Sequence, residues 1–182
     1  GVFTGSDITA DAHNSTCLVI EDFNGDGWFD IAVGNYGETN RLYFSNRTAD
    51  PFNGITGVTL HADAHNTTCM AVGAFDLGYD WDLAVGNYGE INRYYLNDGD
   101  GDTDPFSSSG ADISSDIENT TAIAVGDFDS NWSEYTLDII VGNDGQVNRL
   151  YTNDFYGNYF NPPEYSYIIG SGGDTDSTTA IA

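Results

Sequence analysis

The nine residues Asp22-Phe23-Asn24-Gly25-Asp26-Gly27-Trp28-Phe29-Asp30 carry the most specific chemistry in this chain. Side-chain oxygens stand at the first, third, fifth and ninth positions: Asp22, Asn24, Asp26 and Asp30. Trp28, at the seventh, counts among the candidate ligands, and Gly27 eases the turn. A hard cation such as Ca2+ takes six to eight oxygens at roughly 2.3–2.6 Å, and an alternating acidic loop can wrap them around one point. The competing reading is a solvated acidic turn, since Asp, Asn and Gly also make turns without a metal. An EF-hand is excluded, because its twelfth position needs a bidentate Glu and here it is Val33. The flanks 17–20 and 31–33 are short apolar runs bounded by turn residues, as strands are.

Two related stretches follow. In residues 74–82, Ala74 and Gly78 replace the first and fifth ligands, so that loop is expected to bind weakly or not at all. The third version keeps Asp127, Asp129, Asn131 and Asp138 with three extra residues, and it is a second candidate metal site. The ladder at 98–104 reads as a flexible acidic loop, with a further ion site as the alternative.

Other reactive groups are sparse. Asn14, Asn46, Asn66, Asn119 and Asn131 begin Asn-x-Ser/Thr triplets, the acceptor pattern for N-glycosylation. The first four are the candidate glycan sites, because Asn131 cannot readily carry a glycan and also ligate Ca2+. Asn14, Asn66 and Asn119 hold the same place in successive repeats, so a plain alternative is a strand-start pattern copied by repetition. Cys17 and Cys69 also match. They read either as a pair or, preferentially, as two small buried thiols, since the third copy has Ala122. His13 and His65 match with His61 nearby, and copying explains them more simply than a transition-metal site. Arg41, Arg93 and Arg149 recur after Gly-Asn-x-Gly-x-x-Asn, each expected to hold a carboxylate or loop carbonyl within its own repeat.

These residues sit on a repeated frame. Gly34-Asn35-Tyr36-Gly37-Glu38 recurs at Gly86-Asn87-Tyr88-Gly89-Glu90, an offset of 52, with a third copy at Gly142-Asn143-Asp144-Gly145. The periodicity defines repeats over 10–60, 61–114 and 115–170. Residues 1–9 form an end strand of a preceding unit, and 171–182 start a fourth. Each repeat reads as four short strands. The first is 17–23, 69–75 or 122–128; the second 30–35, 82–87 or 138–143; the third 41–45, 93–96 or 149–152. The fourth lies within 52–60, 106–113 and 165–169. Four strands in about fifty residues is the size of one β-propeller blade. The fold class is therefore all-β, with propeller-type blades of four antiparallel strands, about three repeats and partial units at both ends. Because three blades do not close a ring and the ends fall inside repeats, the chain reads either as a window of a longer repeat array or as a unit whose end strands add to neighbouring copies and build a filament.

The run Val19-Ile20-Glu21-Asp22-Phe23-Asn24-Gly25-Asp26-Gly27, followed by Asp30-Ile31-Ala32-Val33-Gly34-Asn35 and Asn40-Arg41-Leu42-Tyr43, is similar to the FG-GAP / VCBS repeat family, also found in integrin alpha subunits. That resemblance implies propeller blades with Ca2+ in the loop between a blade's first two strands. It also implies an extracellular or cell-surface setting with adhesive or carbohydrate-binding roles.

The charge narrows the partners. The 182 residues carry a formal charge of −25, with four arginines and no lysine. So acidic a chain lacks the basic patch that nucleic acid or an anionic membrane surface requires. Hydrophobic residues at 40% argue against disorder, and no apolar run approaches the roughly 20 residues of a membrane-spanning helix. The leading expectation is a non-catalytic extracellular calcium-binding repeat protein with a structural or adhesive role, glycosylated and self-assembling. A lectin-like propeller using Tyr36, Tyr88, Trp28, Trp81 and Trp132 to stack on glycans is the alternative. No nucleophile–base set stands out to suggest an enzyme.

Overall fold

The computed structural model describes residues 5, 7–101, 104–108, 110–128, 136–153, 160, 166–169 and 178. The expected partial units at 1–9 and 171–182 lie largely outside this set, as do Asp129, Asn131 and Trp132. The described residues form eight strands and no helix. They are β1 (Ser15–Glu21), β2 (Asp30–Tyr43), β3 (Val58–Gly73), β4 (Asp82–Tyr95), β5 (Ala111–Gly126), β6 (Asp138–Asn143), β7 (Asn148–Tyr151) and β8 (Ser166–Ile169). Each pairs antiparallel with its neighbours in chain order, and the sheet does not close into a barrel.

Four elements, β2 to β5, differ from the expected short strands, β4 in the same way as β2. β2 covers both the second and third expected strands of the first repeat. Extended, 14 residues would span about 46 Å, yet the Ser45 N–H reaches the Asp30 carboxylate at 2.9 Å. β2 therefore folds back on itself, turning at Gly37, where φ is +72° and only glycine fits without strain. In the third repeat the same hairpin is written as two strands, β6 and β7, with Ile139 opposite Tyr151. β3 and β5 differ the other way. The fourth strand of one repeat runs unbroken into the first strand of the next, because residues 58–72 and 111–125 contain no glycine or proline to interrupt them. The first half of β3 pairs with β2 and its second half with β4.

This continuity stacks the repeats on two apolar seams. Phe23, Ala32 and Leu42 of the first repeat pack with Met70, Leu83, Val85, Tyr95 and Phe106 of the second. Phe75, Ala84 and Tyr94 of the second pack with Ile123, Ile139, Val141 and Tyr151 of the third. Each fully buried Leu, Ile or Phe stabilises the fold by about 1.5–3 kcal/mol.

A buried polar chain crosses the same seams. The Asn35 N–H donates to Asn40 Oδ1, Asn40 Nδ2 to Thr67 Oγ1, and the Thr67 hydroxyl to Asn87 Oδ1. The pattern repeats through Asn92, Thr120, Asn143 and Asn148. Seven of these eight residues, all but Asn148, are buried, so breaking a link among them would leave a polar group without water or partner.

Candidate metal centre

The 22–30 loop joins β1 to β2. Gly25 and Gly27 both take positive φ, +67° and +87°, which lets so short a loop close. Its polar side chains turn towards its own main chain. Asp22 accepts from the N–H groups of Asp26 at 2.9 Å and Gly27 at 2.7 Å. Asn24 Oδ1 accepts from Asp26 N–H at 3.1 Å, and Asp26 Oδ1 from Trp28 N–H at 2.9 Å. The other Asp26 oxygen meets the Arg47 guanidinium, with Nε at 2.9 Å and Nη2 at 2.7 Å.

Asp30 is different. It is fully buried, and its two oxygens accept from Phe23 N–H at 3.2 Å and Ser45 N–H at 2.9 Å. Burial is the main reason its carboxyl is pushed up to about 6, and the neighbouring charges of Asp26 and Asp22 push the same way. Three carboxylates thus crowd one corner, with the Asn24 amide and the Trp28 carbonyl on the same loop. The donors are all oxygen, which suits Ca2+ and not a thiophilic metal. The guanidinium on Asp26 shows that the corner already takes up positive charge. Among the described residues no group of three or more His, Cys, Asp or Glu side chains encloses a metal-sized point, so an ion would have to draw Asp22 and Asp26 inward from their N–H partners.

The second loop has the same anchor and little else. Asp82 accepts from Phe75 N–H at 2.7 Å and Asn97 N–H at 2.8 Å, and burial pushes its carboxyl up to about 7. Ala74 and Gly78 offer no side-chain oxygen. Asp76 accepts from Gly78 N–H, and Asp80 lies so close to Gly99 that any side chain at 99 would strike its carboxylate. In the third repeat Asp138 accepts from Phe128 N–H at 2.7 Å and Asn153 N–H at 2.9 Å. Asp127 is exposed, while Asp129 and Asn131 lie outside the described residues. The recurring anchors Ser45, Asn97 and Asn153 escaped the sequence reading. Their fixed position just after the third strand of each repeat was the available signal.

The other candidates have structural partners. Asn14, Asn66 and Asn119 direct Nδ2 at the carbonyls of Tyr36, Tyr88 and Asp144 at 3.4–3.5 Å. The triplet threonines bind across the seams, Thr16 Oγ1 to the Thr67 carbonyl at 2.7 Å and Thr68 Oγ1 to the Thr120 carbonyl at 2.5 Å. The threonines of the pattern thus join neighbouring repeats, while its asparagines bond within their own repeat. Asn46 Nδ2 donates to the Asn53 carbonyl. Cys17 and Cys69 are free thiols, and burial raises both, Cys69 to about 12, far from a reactive thiolate. His13 pairs with Glu38 at 2.6 Å and His65 with Glu90 at 2.8 Å. Arg41 and Arg93 hold the carbonyls of Gly57 and Gly110, and Arg149 holds Glu118 at 2.6 Å. Trp28, Tyr36 and Trp81 are exposed, and so are Phe29, Leu77 and Tyr79, which the sequence reading did not single out. Tyr88 ties its hydroxyl to Asp144 at 3.2 Å.

Comparison of the whole chain with curated proteins gives no match. The family comparison falls on the loop just described and on the hairpin that follows it: residues 18–49 match the FG-GAP repeat model.

Proposed function

We propose that this protein is a non-catalytic, extracellular, calcium-binding repeat module with a structural or adhesive role, its repeats arranged as propeller blades. The carrying observation is the 22–30 loop, which sets the side-chain oxygens of Asp22, Asn24 and Asp26 on the same short turn as the buried Asp30; the Trp28 carbonyl would complete an oxygen-only set. Ca2+ would supply positive charge that cancels the repulsion among Asp22, Asp26 and Asp30. Asp30 would keep its two N–H partners and lend a remaining lone pair, while Asp22, Asn24 and Asp26 reorient. The loop would then be stapled to β2 and, through Ser45, to the end of its hairpin. Asp127 and Asp138 would serve a second ion together with Asp129 and Asn131. Glycans on Asn14, Asn46, Asn66 and Asn119, a cell-surface location and the absence of nucleic-acid or membrane partners belong to this reading, supported by the chain's composition.

A lectin-like role is the second reading. It is favoured by Trp28 and Phe29, exposed beside the candidate ion, because aromatic faces stack on sugar rings.

Thermal melting with calcium or with EDTA tests the first reading, since an ion bound only to the folded state stabilises it by mass action. Calcium should raise the melting temperature of the wild type and of Asp80→Ala by similar amounts, and that of Asp26→Ala by clearly less, since only the third-repeat ion would remain. A wild-type curve indifferent to calcium would remove the ion from this account.

A further inference from the structure

Histidine recurs at one position in the first two repeats, and the second repeat adds another. His13 and His65 correspond, and each ring meets a glutamate of β2 or β4 through Nδ1, Glu38 at 2.6 Å and Glu90 at 2.8 Å. His61 has no counterpart of its own kind. Its place holds Thr9 in the first repeat and Ser114 in the third, whose hydroxyls accept from the N–H groups of Asp11 and Asp116 at 2.8 and 3.0 Å. In the second repeat the imidazole of His61 turns instead to the carboxylate of the corresponding aspartate, Asp63, with Nδ1 3.0 Å from Oδ2. Repetition therefore explains His65 and leaves His61 unexplained.

His61, Asp63 and His65 alternate along β3, so they share one face of the strand, while Ala62 and Ala64 between them are exposed. The same Asp63 Oδ2 lies 3.9 Å from His65 Nε2. Neither His61 Nδ1 nor His65 Nε2 makes a hydrogen bond, although both atoms are buried. His65 is held from behind: its Nδ1 faces Glu90, and the Asn66 N–H donates to the same glutamate oxygen at 3.3 Å. A carboxylate on Nδ1 fixes the tautomer that leaves the Nε2 lone pair free for a metal.

Two imidazole nitrogens and one carboxylate oxygen are a donor set for Zn2+ and not for Ca2+. Ligands at 2.0–2.1 Å on a tetrahedral ion stand about 3.3 Å apart, and the two separations at Asp63 Oδ2 fall on either side of that value. As they stand the donors enclose no metal-sized point, so the ion would draw His65 Nε2 towards Asp63 by about 0.6 Å. Arg93 Nη2 lies 3.5 Å from the same oxygen but has partners elsewhere, Asp112 at 2.7 Å and the Gly110 carbonyl. The carboxylates of Asp63, Glu90 and Asp112 outnumber this one guanidinium. His61 also lines an open cleft of about 540 Å3 with Thr39, Thr59 and Ser107, a path from solvent with room for a water as fourth ligand.

We propose that His61, Asp63 and His65 form a site for one Zn2+ ion, with Glu90 orienting His65 from behind. The site is independent of the calcium reading, because it lies on β3 and binds through nitrogen as well as oxygen.

Calorimetric titration with Zn2+ tests it, in excess calcium so that the acidic loops do not compete. The wild type should bind one Zn2+ ion per chain. His61→Thr installs the residue type that the first repeat carries at this place, so it should melt like the wild type in EDTA and lose the zinc site. Glu90→Gln should keep the stoichiometry and weaken the affinity by about 10–100-fold. His13→Gln, in the first repeat, should bind like the wild type. A wild type that takes up no zinc, or a His61→Thr variant that binds it as tightly as the wild type, would overturn the proposal.

Discussion

The first and second repeats build their strand-connecting loops on the same buried aspartate but surround it differently. Asp30 and Asp82 each bind the N–H of the loop phenylalanine and the N–H just beyond the hairpin. Around Asp30 stand Asp22, Asn24 and Asp26; the corresponding places around Asp82 hold Ala74, Asp76 and Gly78. The two roles of the motif therefore separate. Fastening the loop to the hairpin belongs to the ninth-position aspartate and survives in every repeat. Gathering further oxygens belongs to the inner positions and varies from one repeat to the next.

The sharpest way to break this comparison is to remove the anchors. Asp30→Ala and Asp82→Ala each strand two buried N–H groups that bound a carboxylate, a loss expected at about 3 kcal/mol or more. Chemical denaturation in EDTA should give similar losses for the two variants. A much smaller loss for Asp30→Ala would mean that the first loop depends on its inner carboxylates and not on the shared anchor.

Titration separates the anchors next. The folded-state value of Asp82, about 7, lies above the ordinary 3.8, with burial as the main cause. An acid raised in this way binds its proton more tightly folded than unfolded. Its contribution to stability is present in full below about pH 4 and is lost as pH rises towards 7. Asp82→Asn should lack this slope, gaining on the wild type by on the order of 4 kcal/mol between about pH 4 and about pH 8. Parallel stability curves for the two proteins would mean that the two N–H bonds offset the cost of burial.

Much of this arrangement was legible in the residues. The glycine–asparagine repeats marked the hairpins, the short apolar runs marked the strands, and oxygen spacing marked the 22–30 loop. Three features were not legible. The unbroken passage of β3 and β5 between repeats depends on residues such as Ala62, Ala64 and Thr67, which neither start nor stop a strand. The buried chain through Asn35, Asn40 and Thr67 uses residue types that elsewhere signal exposed turns. Asp30 could not be told from Asp26 by type, because a ligand and an acceptor of main-chain N–H are the same carboxylate until burial is known.

The smallest effect concerns Arg47, the one arginine outside the repeat pattern. It adopts φ of +61°, where its counterpart in the second repeat is Gly99 at +67°. A non-glycine residue there costs roughly 1–2 kcal/mol. The conformation brings the guanidinium onto Asp26 Oδ2, an inner oxygen that the second repeat replaces with Gly78. Arg47→Gly relieves the backbone and frees Asp26, two changes that offset each other in stability without calcium. Removing a positive charge from a cation ligand should raise calcium affinity, but only several-fold, because the arginine is more than half exposed and solvent screens it. Calorimetric titration at low and high salt reads this directly, and the gain should shrink as salt rises. A weaker affinity in Arg47→Gly would reverse the assignment: the guanidinium would then be holding Asp26 in position for the ion, and the difference between the two loops would include a residue outside both of them.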